Sequence, residues 1–140
     1  MSIIKCPCQQ NSTYENCCKR FHTSPHLIET PTQLVYARYS AFVLKLPNYI
    51  KQTMKDPALK YFDVSHILNS SISWQGISII SLNYPEASAS TCLIKFKVTC
   101  KNTYNANNTF CVNETGLFKQ IDNQWFYIDA LQISQESISK

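Results

Sequence analysis

Four cysteines near the start of the sequence have the residue type and spacing of metal ligands. They form two close pairs, Cys6-Pro7-Cys8 and Cys17-Cys18, joined by a short and mostly polar loop. Thiolate sulfur binds Zn²⁺ at about 2.3 Å, and two such pairs complete a tetrahedral site. Because four thiolates leave no open position for water or substrate, the metal would hold the fold and would not catalyse. The sequence therefore predicts a structural Zn²⁺ site at Cys6, Cys8, Cys17 and Cys18.

The residues alone leave alternatives open for this cluster. The four thiols could remain without metal or form two disulfides, and His22 could replace Cys18 as the fourth ligand. Three cations, Lys5, Lys19 and Arg20, stand beside the cysteines in the sequence. They are placed to offset the negative charge that four thiolates leave around one Zn²⁺.

Three further cysteines, Cys92, Cys100 and Cys111, lie singly in the second half of the chain. A nucleophilic cysteine needs a base and an electropositive, partly exposed setting. Cys92 and Cys100 instead alternate with Ile94 and Phe96 on one face of a predicted strand. This pattern predicts buried free thiols.

The totals indicate a globular protein of ordinary composition. The chain has 140 residues, of which 44% are hydrophobic and 16% charged, enough for one domain with a short appendage. Its net charge of +4 permits an acidic partner, nucleic acid included, although a solvated basic surface explains it as well. No apolar run resembles a signal peptide or reaches the ~18 residues of a membrane span. With cysteines grouped as metal ligands, we expect a cytoplasmic protein; a secreted, disulfide-bonded protein is the alternative.

Helices are predicted in the first half of the chain. Thr30 and Pro31 make a helix start, with a hydroxyl cap and a proline in the first turn. The helix over 32–46 is apolar over most of its surface, so we expect it to be buried on more than one side. Shorter helical pieces are predicted over 48–55 and around 60–68.

Strands are predicted in the second half, over 76–82, 91–101, 109–121 and 124–131. Asparagines tolerate positive φ, so we expect hairpin turns at 105–108 and at 122–123. Helices followed by an antiparallel meander give an α+β fold, with helices packed on one face of a curved sheet. The division predicted from these patterns is a cysteine module over 1–24 and an α+β domain over 25–140.

Several segments resemble the bacterial YchJ family. The pattern Cys6-Pro7-Cys8 with Cys17-Cys18, and Tyr14 before the second pair, resembles the SEC-C motif, a zinc module also found at the C-terminus of the SecA translocation motor. Ala-Arg-Tyr-Ser-Ala-Phe at 37–42 is similar to the core of the family's first helix. The other similar segments are 73–77, 114–118 and 123–129.

The resemblance implies a nuclear-transport-factor-2-like (cystatin-like) domain, a cone of curved antiparallel sheet that often encloses a cavity. It also implies that the four N-terminal cysteines bind zinc. Two departures are visible. Gln9-Gln10-Asn11 stands where the family pattern has Gly-Ser-Gly, and Ala130 where the family tends to have glycine.

A cavity of this kind is where an enzyme activity would lie. In other members of the fold, a carboxylate or histidine in an apolar pocket does acid–base work. The polar candidates in the family-like motifs are Arg38, Glu114, Tyr127 and Asp129. We favour a structural interpretation, in which Arg38 pairs with Glu114 or Asp129 and ties the helix to the sheet, because no histidine–carboxylate pair points to catalysis.

Two functions follow from these patterns. The first is a non-enzymatic interaction protein, whose zinc-folded knob docks onto a cytoplasmic protein or ribonucleoprotein through its cations and through exposed aromatic side chains such as Tyr14 and Phe21. The second is a binder of small molecules, or an enzyme, that uses the cavity of the cone. The sequence favours the first, and it identifies neither partner nor ligand.

Overall fold

A computed structural model of the chain describes residues 4–10, 13–68, 71–85, 89–103 and 105–138. Its architecture confirms the α+β expectation: an N-terminal cysteine segment, a group of helices, and one curved four-stranded antiparallel sheet. Buried residues from all three parts join in one hydrophobic cluster. The cysteine segment therefore packs onto the rest of the chain.

The helices are α1 (Cys18–Thr23), α2 (Pro31–Val43), α3 (Pro47–Gln52) and α4 (Val64–Leu68), with 3₁₀ turns at Pro25–Leu27 and Leu59–Tyr61. Helix α2 begins as predicted, because the Thr30 hydroxyl accepts the Gln33 N–H at 3.2 Å while the Gln33 side chain accepts the Thr30 N–H. It ends earlier than predicted. Lys45 takes a φ of 57° and the Leu46 N–H bonds the Ala41 carbonyl, the hydrogen-bond pattern of a Schellman helix end.

Two further helical predictions were too long, and backbone pairing with the sheet explains the first of them. The helix expected over 48–55 ends at Gln52, because the next residues pair with the sheet: the Tyr127 N–H donates to the Thr53 carbonyl and the Lys55 N–H donates to the Tyr127 carbonyl. The piece expected around 60–68 divides, since the Asp63 side chain accepts the Ser65 N–H at 2.9 Å and starts α4 anew.

The sheet is a meander of β1 (Ile72–Asn83), β2 (Thr91–Asn102), β3 (Asn105–Ile121) and β4 (Gln124–Ser137) in sequence order. The hairpin at Asp122 and Asn123 is confirmed, with φ of 51° and 67°. The turn predicted at 105–108 is wrong: β3 already begins at Asn105, which pairs with Asn102 across an irregularity in register. There the asparagines lie within the strand beside an irregular pairing, and the turn precedes them.

The two faces of β2 differ as its alternation predicts. Cys92, Ile94, Val98 and Cys100 are buried, whereas Lys95 is exposed. Cys111 on β3 is also buried, and none of the seven cysteines forms a disulfide. The prediction of buried free thiols in the sheet is confirmed.

Candidate functional site

The four N-terminal sulfur atoms converge into one cluster. All lie within 4.8 Å of one another, and each cysteine is at most 7% exposed. Cys8 Sγ lies 3.4 Å from Cys6 Sγ and 3.5 Å from Cys17 Sγ, and Cys17 Sγ lies 3.9 Å from Cys18 Sγ. Four sulfurs at 2.3 Å from a tetrahedral ion stand about 3.8 Å apart. The donor set and its spacing therefore fit a metal ion.

Local backbone turns bring the two pairs together. The Gln9 N–H donates to the Cys6 carbonyl at 3.0 Å, which closes a tight turn around Cys8. Cys17 lies at φ −128° and ψ −114°, and α1 starts at Cys18. This change of direction lets two cysteines adjacent in sequence point toward the same centre.

The cluster is electrostatically suited to a cation. A hydrogen bond with Cys18, together with those from Gln10, Cys6 and Cys17, lowers the pKa of Cys8 to about 5. Burial raises the pKa of Cys17 to about 12, and the hydrogen bond to Cys8 raises the pKa of Cys18. These interactions favour the thiolate form at Cys8 and disfavour it at Cys17 and Cys18. Four thiolates together require a compensating positive ion.

Ser40 of α2 is a functional side chain that sequence reasoning missed. Its hydroxyl donates to Cys18 Sγ at 3.3 Å and lies 3.7 Å from Cys6 Sγ, and the residue is fully buried. Groups that hydrogen-bond to metal ligands fix their orientation. The available signal was a serine within an otherwise apolar helix, inside the family-like motif at 37–42.

His22 does not replace Cys18 as the fourth member of the cluster. Its Nδ1 lies 2.7 Å from the Tyr14 hydroxyl, and its Nε2 lies 2.8 Å from the Ala37 carbonyl. Donation from Nε2 to the carbonyl leaves Nδ1 to accept the tyrosine proton, and burial lowers the pKa of the imidazole. His22 therefore fastens α1 to α2, while Cys18 stands in the cluster.

The outer side of the cysteine segment carries the expected cations, but it exposes fewer aromatic side chains than predicted. Lys5, Lys19 and Arg20 are exposed, Lys19 lies 3.6 Å from Glu15, and Arg20 Nε donates to the Cys17 carbonyl at 3.1 Å. The expectation that Phe21 is exposed is wrong. It is only 5% exposed, because α1 turns this side chain into the core.

A second centre is a cavity of about 300 Å³ lined by residues of α2, by Met54 and by residues of all four strands. Its walls are mainly apolar and aromatic. Besides the Tyr39 hydroxyl, its polar groups come from Arg38, Glu114 and Tyr127, three of the four predicted polar candidates. The lining includes Arg38, Phe42, Trp74, Val112, Glu114 and Tyr127.

Arg38 does not make the predicted ion pair. Its Nη1 donates to the Ile50 carbonyl at 2.9 Å and to Thr53 Oγ1 at 2.8 Å, and neither Glu114 nor Asp129 lies within 4.0 Å of it as an ion-pair partner. A carbonyl near a helix end lacks a partner within its own helix, so the end of α3 supplies the closer acceptors. Arg38 therefore ties α2 to α3.

Glu114 and Tyr127 form the polar pair of the cavity. The Tyr127 hydroxyl donates to Glu114 Oε2 at 2.8 Å, and the Arg38 guanidinium carbon lies 4.6 Å from the centre of the Tyr127 ring. Burial raises the pKa of Glu114 and that of Tyr127. Asp129 lies close enough for its charge to raise the pKa of both groups. It lines a neighbouring depression together with Arg38 and Tyr127, and its Oδ1 accepts the Ala130 N–H.

Comparison with known proteins identifies the family. A family model described as the YchJ middle NTF2-like domain matches residues 30–130. A UPF0225 protein from Actinobacillus succinogenes is 31% identical over 127 residues, which cover 89% of this chain and 80% of that protein. The chain belongs to the YchJ-like family. A UPF0225 protein from Vibrio cholerae is similar at 29% identity over 128 residues, covering 90% of this chain and 82% of its own.

Solved structures agree with membership of the YchJ-like family. The crystal structure of a SEC-C motif containing protein from Psychrobacter arcticus has a TM-score of 0.75 and 27% identity, covering 95% of this chain and 84% of that one. A solution structure of a SEC-C motif containing protein from Rhodopseudomonas palustris has a TM-score of 0.79 over 94% of this chain and all of its own. At 17% identity, that second likeness shows the fold alone.

Within the part of the chain that the structure describes, no helix is long and apolar enough to cross a membrane.

Proposed function

We propose that this YchJ-like chain is a zinc-stabilised binding protein whose cone-shaped domain takes up a small, mostly apolar molecule. The observation that carries the proposal is the cavity of about 300 Å³ in which Arg38, Glu114 and Tyr127 converge among apolar side chains. Small-molecule sites are typically concave, about 300–1,000 Å³ in volume, and apolar apart from a few placed polar groups. The cavity has these properties at the lower end of the size range, so its ligand is small.

Zinc is the metal that the donor set supports best. Four soft thiolates with tetrahedral spacing select Zn²⁺ over ions that prefer oxygen ligands. When bound, zinc would supply a rigid cross-link between the two cysteine pairs, and the Ser40 hydroxyl would hold the Cys18 sulfur in place. Metal analysis of the purified chain should give one zinc per chain; iron or a substoichiometric content would contradict the assignment.

We propose binding rather than catalysis. The sulfur cluster would have no open position for a substrate, and the cavity lining contains neither histidine nor cysteine among the described residues. Glu114 is the carboxylate in that lining, and its Oε2 is already bonded to Tyr127. The apolar walls would supply affinity and the polar groups would set the orientation of the ligand.

A fragment screen by two-dimensional NMR tests the binding proposal. Small aromatic fragments should shift the resonances of cavity residues such as Val112 and Trp74. Val112→Phe, which places a ring in the cavity, should abolish these shifts. Ile80→Phe adds a ring at a position that is 52% exposed on β1 and should leave them intact. A screen in which no fragment shifts cavity residues would overturn the proposal.

A second candidate function is docking to an acidic protein surface or ribonucleoprotein through the cysteine segment. A surface depression beside the cluster favours it, because Lys5, Gln9, Tyr39 and Trp74 line this depression together. A basic side chain beside aromatic groups suits an acidic partner. Affinity capture should lose its specific partner with Lys5→Glu and retain it with Lys60→Glu, an exposed lysine on another part of the surface. Identical partners for both variants would eliminate this candidate.

A further inference from the structure

The guanidinium of Arg38 is buried but only partly used by the protein. The residue is 7% exposed, and both of its hydrogen bonds to the chain leave from Nη1. A guanidinium has five N–H donors, so those on Nε and Nη2 have no acceptor among the described residues. A buried charge is expensive unless it is paired and hydrogen-bonded. Arg38 lines both the cavity and the neighbouring depression that Asp129 lines.

Glu114 offers the opposite charge in the same cavity. Its Oε2 accepts the Tyr127 hydroxyl, and its Oε1 has no donor among the residues that the structure describes. Tyr127 stands between the two charged groups, because its hydroxyl bonds Glu114 while its ring faces Arg38. The cavity thus holds one cation and one anion that attract each other electrostatically but form no direct ion pair.

The remaining walls of the cavity favour a ligand with an apolar part. Phe42, Trp74, Ile77, Phe96 and Val98 contribute side chains to the lining. A ligand that complements the whole cavity therefore carries a negative group, a positive group and an apolar part, all within a small volume. A molecule with only one charge would leave the opposite protein charge buried without a partner.

We propose that the cavity binds a small amphoteric molecule of the apolar amino acid class, with its carboxylate on Arg38 and its amino group on Glu114. This assignment rests on the proposed binding function. The carboxylate receives the Nε and Nη2 donors, the ammonium group donates to Glu114 Oε1, and the apolar side chain of the ligand lies against the aromatic wall. The charges of protein and ligand then balance within the cavity.

Isothermal titration calorimetry with four related probes tests the charge assignment. L-phenylalanine carries both charged groups, 3-phenylpropionate lacks the amino group, 2-phenylethylamine lacks the carboxylate, and benzyl alcohol is neutral. We expect L-phenylalanine to bind most tightly and each singly charged analogue to bind at least about ten-fold more weakly, because a hydrogen bond to a charged group is lost.

A variant separates recognition from a merely structural role. Glu114→Gln keeps the shape of the side chain and can still accept the Tyr127 proton, but it removes the charge that faces the amino group. L-phenylalanine should then bind no more tightly than 3-phenylpropionate, whose own affinity should rise, because the variant leaves no unpaired carboxylate beside the bound anion. Glu136→Gln, an exposed carboxyl on β4 that accepts a hydrogen bond from Asn113, is the matched control and should change neither affinity.

The outcomes distinguish the two levels of the proposal. If benzyl alcohol binds as tightly as L-phenylalanine, the cavity takes up ligands but the amphoteric assignment is overturned. The same conclusion follows if 3-phenylpropionate binds more tightly than L-phenylalanine, or if Glu114→Gln weakens all four probes equally. If no probe binds and the NMR fragment screen is also negative, the binding function itself fails.

Discussion

The cysteine cluster and the cavity stand beside the same helix, and they differ in how completely the protein satisfies their polar groups. In the cluster, four buried sulfurs face one another and receive the Ser40 hydroxyl, so a single ion completes the coordination. In the cavity, Arg38 and Glu114 each keep unused hydrogen-bonding capacity, and more than one atom is needed to fill the space.

In the proposed function, this difference separates a structural centre from a binding centre. A group of side chains that one resident ion can complete contributes to folding, since the site rarely exists in the unfolded chain. A cavity with unused donors and acceptors keeps its polar groups available for a ligand. Helix α2 serves both centres, because Ser40 contacts the sulfurs and Arg38 lines the cavity.

The largest effect is expected from the cluster. Cys8→Ser removes the sulfur that contacts both Cys6 and Cys17, so the remaining donors hold zinc weakly. We expect the free energy of unfolding to fall by about 4 kcal/mol or more, the range reached when a structural metal is lost. Guanidinium denaturation with and without a chelator measures it, and the chelator should change the variant little.

Cys92→Ser is the control for this change. Cys92 is a fully buried cysteine outside the cluster, so its replacement affects packing but not metal content. If the two serine variants bind the same amount of zinc, the distinction between cluster and sheet cysteines is lost.

A somewhat smaller effect is expected from Arg38→Met. The substitution removes the charged donor of the Ile50 carbonyl and Thr53 Oγ1, while the Thr53 hydroxyl still donates to the Ile50 and Tyr49 carbonyls. The loss of these hydrogen bonds to a charged group costs about 2 kcal/mol of folding stability. Urea denaturation checks this value, with Lys51→Met on the exposed side of α3 as the control. A loss below about 1 kcal/mol would mean that Arg38 does not tie α2 to α3.

Ser40→Ala should weaken the metal site without dismantling it. The four sulfurs remain, but Cys18 loses its hydrogen bond from α2. Removing such a partner typically lowers metal affinity by 10- to 100-fold, and competition with a chromogenic zinc chelator measures the change. Ser81→Ala, at an exposed position of β1, should leave zinc affinity unchanged. Equal zinc affinities for the two variants would show that Ser40 does not support the metal site.

The smallest effect is expected from Glu114→Gln, and its sign depends on pH. Burial raises the pKa of Glu114 above its ordinary value of 4.5, so the folded chain holds this proton at pH values where the unfolded chain has lost it. The contribution to stability therefore falls as pH rises from about 4.5 through the raised pKa. The Glu114→Gln variant has no carboxyl to ionise, so its stability does not fall in this way. Above the raised pKa it should be more stable than the parent by on the order of 1 kcal/mol or less.

Denaturation of both proteins at several pH values between 4.5 and 8 tests this prediction. Loss of metal at acidic pH affects both proteins alike, so the difference between them is the quantity to follow. A difference that moves in the parent's favour as pH rises would show that the buried carboxylate stabilises the fold.

The sequence was sufficient where the physical cause is local. The convergence of the four cysteines follows from their short spacing. The start of α2 follows from Thr30 and Gln33, and the burial of Cys92 and Cys100 from alternation along one strand. Family resemblance added the cone-shaped fold, which spacing alone does not specify. The family, the α+β fold and the strand order were therefore predictable.

The remaining features depend on contacts between distant parts of the chain. Ser40 acquires its role only because α2 packs on Cys18, and the acceptors of Arg38 lie at the end of another helix. The sequence shows the charge of Arg38 but not that a carbonyl lies closer than a carboxylate. The exposure of Phe21 was misjudged for the same reason, since its burial depends on where α1 rests.

The loop at Gln9 shows how the cluster tolerates an altered sequence. Gln9 takes a φ of 64° where the family pattern has glycine, a conformation that strains a side-chain-bearing residue by about 1–2 kcal/mol. Glycine avoids this strain, but it loses more backbone entropy on folding, by about 0.4–1 kcal/mol. The entropy cost offsets only part of the strain, so glycine is favoured by on the order of 1 kcal/mol or less. Asn11 of the same loop lies outside the described residues, whereas the Gln9 side chain reaches the vicinity of Gly76 on β1. Drift at this position therefore changes the surface beside the cluster while leaving its four ligands in place.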